Sequence, residues 1–127
     1  MRKLLAAVYL CLIAATPAAA DGDAAAGEAI FKRCSACHAV GEGAKNKVGP
    51  ELNGIVGRQV AAAPGFKYSP AFIAKAEEGW VWDDQHLTEY LSNPKGYIKG
   101  TKMAFGGLKK PDEIANVIAY LKTFEAQ

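Results

Sequence analysis

Cys34-Ser35-Ala36-Cys37-His38 constrains this chain more than any other stretch of its 127 residues. A C-x-x-C-H run is the attachment sequence of a c-type haem. Its spacing has a chemical reason: two thiols about a turn apart can add to the two vinyl groups on one haem edge, and the adjacent imidazole reaches the iron. Other uses of close cysteines fit poorly. A disulfide between residues three apart closes a trivial loop and stabilises little. A thioredoxin-type pair wants a βαβ setting, which the patterning lacks. A zinc site wants about four suitably spaced ligands, and the only other candidates downstream are His38 and His86. The expected cofactor is one haem c, attached covalently through Cys34 and Cys37.

Residues 1–20 read as a cleaved export signal. Arg2 and Lys3 form a positive start, Leu4 to Ala15 is almost wholly apolar, and Ala18-Ala19-Ala20 supplies a small-residue cleavage site. The apolar run falls short of the roughly 20 residues of a comfortable membrane span. Cys11 follows the bulky Leu10 inside that run, which argues against a lipid-modified cysteine. Cleavage would leave residues 21–127 as one domain, with Cys34 and Cys37 its only cysteines and Met103 its only methionine. Loss of Arg2 and Lys3 also balances fifteen basic against thirteen acidic residues. The formal charge of +2 on the whole chain gives no support to nucleic-acid binding.

The remaining chain reads as all-α, short helices joined by glycine-rich loops. Asp21 and Asp23 head a first helix, Ala24 to Arg33, with acids at its positive end and Lys32 and Arg33 at its negative end. Pro111, Asp112 and Glu113 open a last helix, where Ile114, Val117, Ile118 and Leu121 recur at helical spacing. Ser69-Pro70 starts a short helix to about Ala76, and Asp83 or Asp84 starts another carrying Leu87, Tyr90 and Leu91. Asn93-Pro94 ends that helix and can begin a single turn. The glycines and prolines between Val40 and Gly65 mark loops, and no run alternates well enough for a strand. So small a helical core needs a filler.

Met103 is the natural second axial ligand. It sits in the loop Lys99 to Phe105 ahead of the last helix, and a neutral, soft thioether favours Fe(II). His86 is the rival nitrogen, and its polar neighbours Asp84 and Glu89 place it on the surface.

Several further motifs occur in a fixed order: Val48-Gly49-Pro50-Glu51-Leu52-Asn53-Gly54, Gly57-Arg58, Pro64-Gly65-Phe66-Lys67-Tyr68, and Tyr90-Leu91-Ser92-Asn93-Pro94-Lys95 running on to Gly100-Thr101-Lys102-Met103. With Cys34 to His38 near the N-terminus, the chain resembles the class I cytochromes c, most of all the bacterial cytochrome c2 type and its mitochondrial relatives. Four-helix-bundle cytochromes c′ carry the haem motif near the other end. The resemblance implies His38 and Met103 as axial ligands, with the Pro50 carbonyl holding the His38 ring. It implies Arg58, Tyr68 and Trp82 as propionate donors, Tyr90 beside the Met103 sulfur, and Thr101 near a propionate. It also implies Gly27 and Phe31 packed against Tyr120 and Leu121. The stretch from Tyr68 to Trp82 departs from the mitochondrial pattern: it is longer, carries Phe72-Ile73 where a buried polar residue is expected, and offers Trp80 as an alternative to Trp82.

Glu77, Glu78, Asp83, Asp84 and Glu89 make an acidic stretch, and Lys95, Lys99, Lys102, Lys109 and Lys110 a basic one around Met103. In such a fold the lysines would ring the haem edge and steer docking to acidic sites. The reading is a soluble, monomeric, periplasmic one-electron carrier, not an enzyme. The resemblance implies a cytochrome bc1-type complex as donor and a terminal oxidase or photosynthetic reaction centre as acceptor. A haem enzyme or gas sensor is the alternative, and would need an open sixth position.

Overall fold

Each helix starts where the sequence supplies a cap or a proline. In the computed structural model, which describes residues 22–127, the order is α1 (Ala24–Phe31), α2 (Pro70–Glu77), α3 (Asp84–Ser92), α4 (Pro94–Tyr97) and α5 (Pro111–Leu121). Residues 1–20, read above as an export signal, and Asp21 lie outside the described residues. The Asp23 carboxylate accepts from the Ala25 and Ala26 amides, and its own N–H donates to Asn116 Oδ1 at 2.8 Å, tying the start of α1 to α5. Ser69 Oγ caps α2 through the Phe72 amide, Asp83 caps α3 through that of His86, and Asn93 caps the single turn of α4 through that of Gly96. Pro111 occupies the first turn of α5, with Asp112 and Glu113 at its positive end.

α1 is shorter than its sequence suggests. It ends at Phe31 rather than Arg33, and the chain tightens into successive turns: Cys34 N–H donates to Phe31 O at 2.7 Å, and Cys37 N–H to Cys34 O at 3.1 Å. Regular helix gives way there to a run of turns, which carries Cys34, Cys37 and His38 into the wall of one cavity.

α1 packs on α5 through its smallest residue. A Cβ on Gly27 would lie 1.9 Å from the Asn116 carbonyl oxygen, so only glycine permits this approach. One turn on, the Phe31 and Tyr120 rings meet at 5.5 Å. Ile114, Val117, Ile118 and Leu121 of α5 are all buried, each contributing on the order of 2 kcal/mol of burial. They join Phe31, Leu87, Ile98 and Leu108 in the core.

Residues 40–65 form loops, as their glycines predict. The described residues contain no strand, only an isolated antiparallel bridge between Gln59 and Val81. Around it Trp82 N–H donates to Arg58 O at 2.8 Å, and Gly57 N–H to Trp82 O at 2.7 Å. This pairing brings Arg58 beside Trp82.

Candidate functional site

The turns after α1 present Cys34, Cys37 and His38, and the loop 47–50 folds over them. Gly49 N–H donates to Cys37 O at 2.8 Å, and Lys47 Nζ to Ser35 O at 2.7 Å. His38 Nδ1 lies 2.7 Å from Pro50 O. A carbonyl can only accept, so Nδ1 carries the proton and Nε2 keeps its lone pair. Gly49 makes room for that ring: a Cβ there would sit 2.4 Å from His38 Cε1. Burial lowers the His38 pKa, opposed by the Pro50 bond, and keeps the imidazole neutral. Burial raises the pKa of the Cys34 thiol.

These residues open onto a mostly apolar cavity of about 270 Å³, bounded by side chains such as Leu52, Ile55, Leu91 and Leu108. Every site residue expected from the sequence lines this one cavity: Cys34, Cys37, His38, Pro50, Arg58, Tyr68, Trp82, Tyr90, Thr101 and Met103. Tyr90 Oη and Thr101 Oγ1 are 2.7 Å apart, and Met103 N–H donates to the same threonine oxygen at 3.3 Å. The loop that carries Met103 is thereby tied to α3. Burial pushes the Tyr90 phenol up to about 12 despite the Thr101 bond.

The polar wall is built around Arg58. Its Nη1 donates to Glu51 Oε1 at 2.9 Å and to Asn53 O at 3.0 Å, and its Nη2 to Glu51 O at 2.9 Å. Its Nε is buried with no partner among the described residues. Tyr68 Oη accepts from the Ala63 amide at 2.9 Å, which leaves its own proton free to be donated. Of the two tryptophans, Trp82 lines the cavity and is 5% exposed. Trp80 instead stacks on His86, with centroids 4.1 Å apart and planes within 6°.

That stack leaves His86 at the surface but half-covered. The residue is part-buried, its ring covered by Trp80 and its Nδ1 2.7 Å from Val81 O, and it lies outside the cavity. Phe72 stands in the wall itself, its ring 5.7 Å from Tyr90, 5.9 Å from Trp82 and 6.1 Å from Tyr68.

The donor set suits a flat, apolar group that carries carboxylates: a nonpolar slot, two thiols and a neutral imidazole on one loop, a thioether on another, and a buried guanidinium N–H to spare. Among the described residues no group of three or more His, Cys, Asp and Glu side chains is arranged to hold a metal ion by itself. Residues 24–125 match the family model described as Cytochrome c. The chain belongs to the cytochrome c family. This cytochrome is 58% identical over 101 residues to cytochrome c2 of Agrobacterium tumefaciens (strain II Chrys), covering 80% of this chain and 91% of that one. It is 45% identical over 126 residues to cytochrome c2 of Blastochloris viridis, covering 99% and 96%. The structure of cytochrome c2 from Rhodospirillum Centenum superposes with a TM-score of 0.78 at 41% identity, over 83% of this chain and all of that one. The cytochrome is thus a class I, c2-like electron carrier rather than an enzyme, with one haem c attached covalently through Cys34 and Cys37.

Two contributors to the site escaped sequence reasoning. Asn53, 2% exposed, clamps Gly41 with its side-chain oxygen on the N–H and its side-chain nitrogen on the carbonyl, both at 2.8 Å. Glu51 organises Arg58. A carboxylate seven residues before an arginine in a glycine-rich loop was the available signal, but such pairs are usually solvated and carry little information.

Proposed function

We propose that this cytochrome is an exported, soluble, monomeric carrier of the periplasm, moving single electrons from a cytochrome bc1-type complex to a terminal oxidase or photosynthetic reaction centre. The observation that carries the reading is the convergence of Cys34, Cys37, His38 and Met103 on one cavity. When bound, the haem supplies a one-electron Fe(III)/Fe(II) couple. His38 Nε2 and Met103 Sδ are the two side-chain atoms that would hold its iron. The Pro50 carbonyl fixes the tautomer and tilt of the imidazole. Thr101 and Tyr90 hold the Met103 loop in place. Arg58, Tyr68 and Trp82 supply donors for the propionates, which would be costly to bury unpaired. With an imidazole and a thioether both supplied by the chain, the iron would be held for electron transfer with no place left for a substrate. His86, the one side chain suited to act as a distal group in a haem enzyme or gas sensor, lies outside the cavity.

Export is supported by the composition of residues 1–20 and by the Blastochloris alignment, which extends over nearly the whole chain. No helix among the described residues is long and apolar enough to cross a membrane. Lys95, Lys99, Lys102, Lys109 and Lys110 are all exposed, and Lys102 stands at the cavity mouth. They form the docking face we assign, with the exposed acids between Glu77 and Glu89 as a negative flank.

The deciding experiment is a visible and far-red spectrum of the periplasm-matured protein, oxidised and reduced, with carbon monoxide added to the reduced form. A low-spin haem with a thioether–Fe(III) band and no carbon monoxide shift is expected. A high-spin haem that binds carbon monoxide would overturn the closed-carrier reading. For docking, Lys102→Glu with Lys95→Glu should slow association with a bc1 complex and flatten its salt dependence; an unchanged rate would sink the assignment.

A further inference from the structure

Arg58 is not alone against the cavity. Its guanidinium is held by Glu51 through both the carboxylate and the backbone carbonyl, and the two side chains are only 14% and 15% exposed. The Glu51 carboxylate also accepts from the Asn53 amide at 2.8 Å, while the Glu51 amide donates to Asn46 Oδ1 at 2.9 Å. Asn46 in turn donates to Pro64 O at 2.8 Å, so Glu51 is held through its backbone as well as through its carboxylate. Three of the five guanidinium N–H groups of Arg58 are occupied by Glu51 and Asn53, and Nε is the one buried nitrogen whose N–H has no acceptor among the described residues. The positive charge of Arg58 meanwhile faces a fixed negative one at close range and under little screening.

We propose that Glu51 is a positioning residue that sets the haem's redox balance through Arg58. It aims the Nε–H at the propionate side of the site, and it offsets the guanidinium charge so that Fe(III) is penalised less than it would be beside an unpaired arginine. Glu51 follows Pro50, whose carbonyl holds His38, so a single braced segment serves both the axial ligand and the propionate wall. The inference rests on the reading of Arg58 as a propionate donor, and the test separates the two.

The experiment is an equilibrium redox titration of the haem-loaded full-length chain for four proteins: the parent, Glu51→Gln, Arg58→Gln and the double variant. Glu51→Gln keeps an acceptor for the guanidinium and removes only the charge. It should raise the Fe(II)/Fe(III) ratio at fixed ambient potential by roughly threefold to tenfold, tenfold being about 59 mV for a one-electron couple. Arg58→Gln should lower the ratio. The double variant, with the pair's net charge unchanged, should return to within about twofold of the parent. Glu51→Asp, which keeps the charge, should restore most of the parent value. A parent-like ratio in Glu51→Gln beside a lowered one in Arg58→Gln overturns the role of Glu51 alone; parent-like ratios in both overturn the propionate reading of Arg58 as well. If Glu51→Gln does not mature, Arg58→Gln against the double variant isolates the same carboxylate charge, and equal ratios there refute the proposal.

Discussion

Replacing Gly27 by alanine should cost the fold far more than one methyl group suggests. Two effects oppose each other. In the middle of a helix, alanine is favoured over glycine by about 1 kcal/mol. Against that, the new Cβ would sit 1.9 Å from the Asn116 carbonyl oxygen, 2.5 Å from its carbon and 2.8 Å from Tyr120 Cβ. Ordinary contact lies near 3.5 Å, so α1 must retreat from α5 by roughly 1.5 Å. No rotamer relieves the strain, because the obstacle is backbone. The retreat also pulls Phe31 from Tyr120 and strains the link from the Asp23 amide to Asn116. Overpacking of this kind typically costs 1–3 kcal/mol and sits here at the upper end. The net loss should be about 2 kcal/mol after the propensity gain, or a fall in Tm of roughly 8–16 °C for a domain near 100 residues. The assay is thermal unfolding of the haem-loaded protein followed by the helical circular dichroism signal. Gly106→Ala is the contrast: nothing lies within 4 Å of its Cβ site and its φ is not positive, so it should be neutral or slightly stabilising. A Gly27→Ala protein within about 0.5 kcal/mol of the parent would refute the close-approach reasoning.

Two further outcomes follow from the buried polar groups. The Tyr90 phenol titrates near 12 in the folded chain and near 10 when unfolded. Between those values the unfolded state binds fewer protons, so stability should fall with rising pH by up to about 1.4 kcal/mol per unit. Tyr90→Phe should flatten the slope in that window and leave the pH dependence below 10 untouched; an unchanged alkaline slope in denaturant titrations would contradict this. Asn53→Ala strips both partners from the Gly41 peptide groups and should cost about 2–3 kcal/mol. Urea unfolding with an unaltered m-value checks it, and a loss below about 0.5 kcal/mol would show that the clamp is dispensable.

Legibility in the sequence tracked the range of the interactions. The caps at Asp23, Ser69, Asp83 and Asn93 and the proline starts of α2, α4 and α5 are local, and all five helices lie within a residue or two of where those signals put them. The largest difference is at the end of α1, where Lys32 and Arg33 look helical and the chain instead runs on in turns that carry its cysteines. Trp80 against Trp82 could not be settled locally either. Two residues of one type and similar spacing differ only in which cross-chain bridge they flank, and the pairing of 57–60 with 80–82 puts Trp82 in the cavity and Trp80 on His86. The cover that Trp80 gives His86 is illegible for the same reason, since the polar neighbours of His86 say nothing of an aromatic partner six residues away.

By itself the sequence determined the cofactor chemistry: thiol spacing, the adjacent imidazole and a lone downstream methionine are covalent facts that no packing alters. Only the tertiary structure decided the electrostatic setting of that chemistry. The Glu51 clamp on Arg58, the glycine window under His38 and the tie from Tyr90 through Thr101 to the Met103 loop each join residues brought together by the folded chain. Charges, hydrogen bonds and steric fit act over a few ångströms of space, whereas sequence spacing reports distance only along one helix or turn.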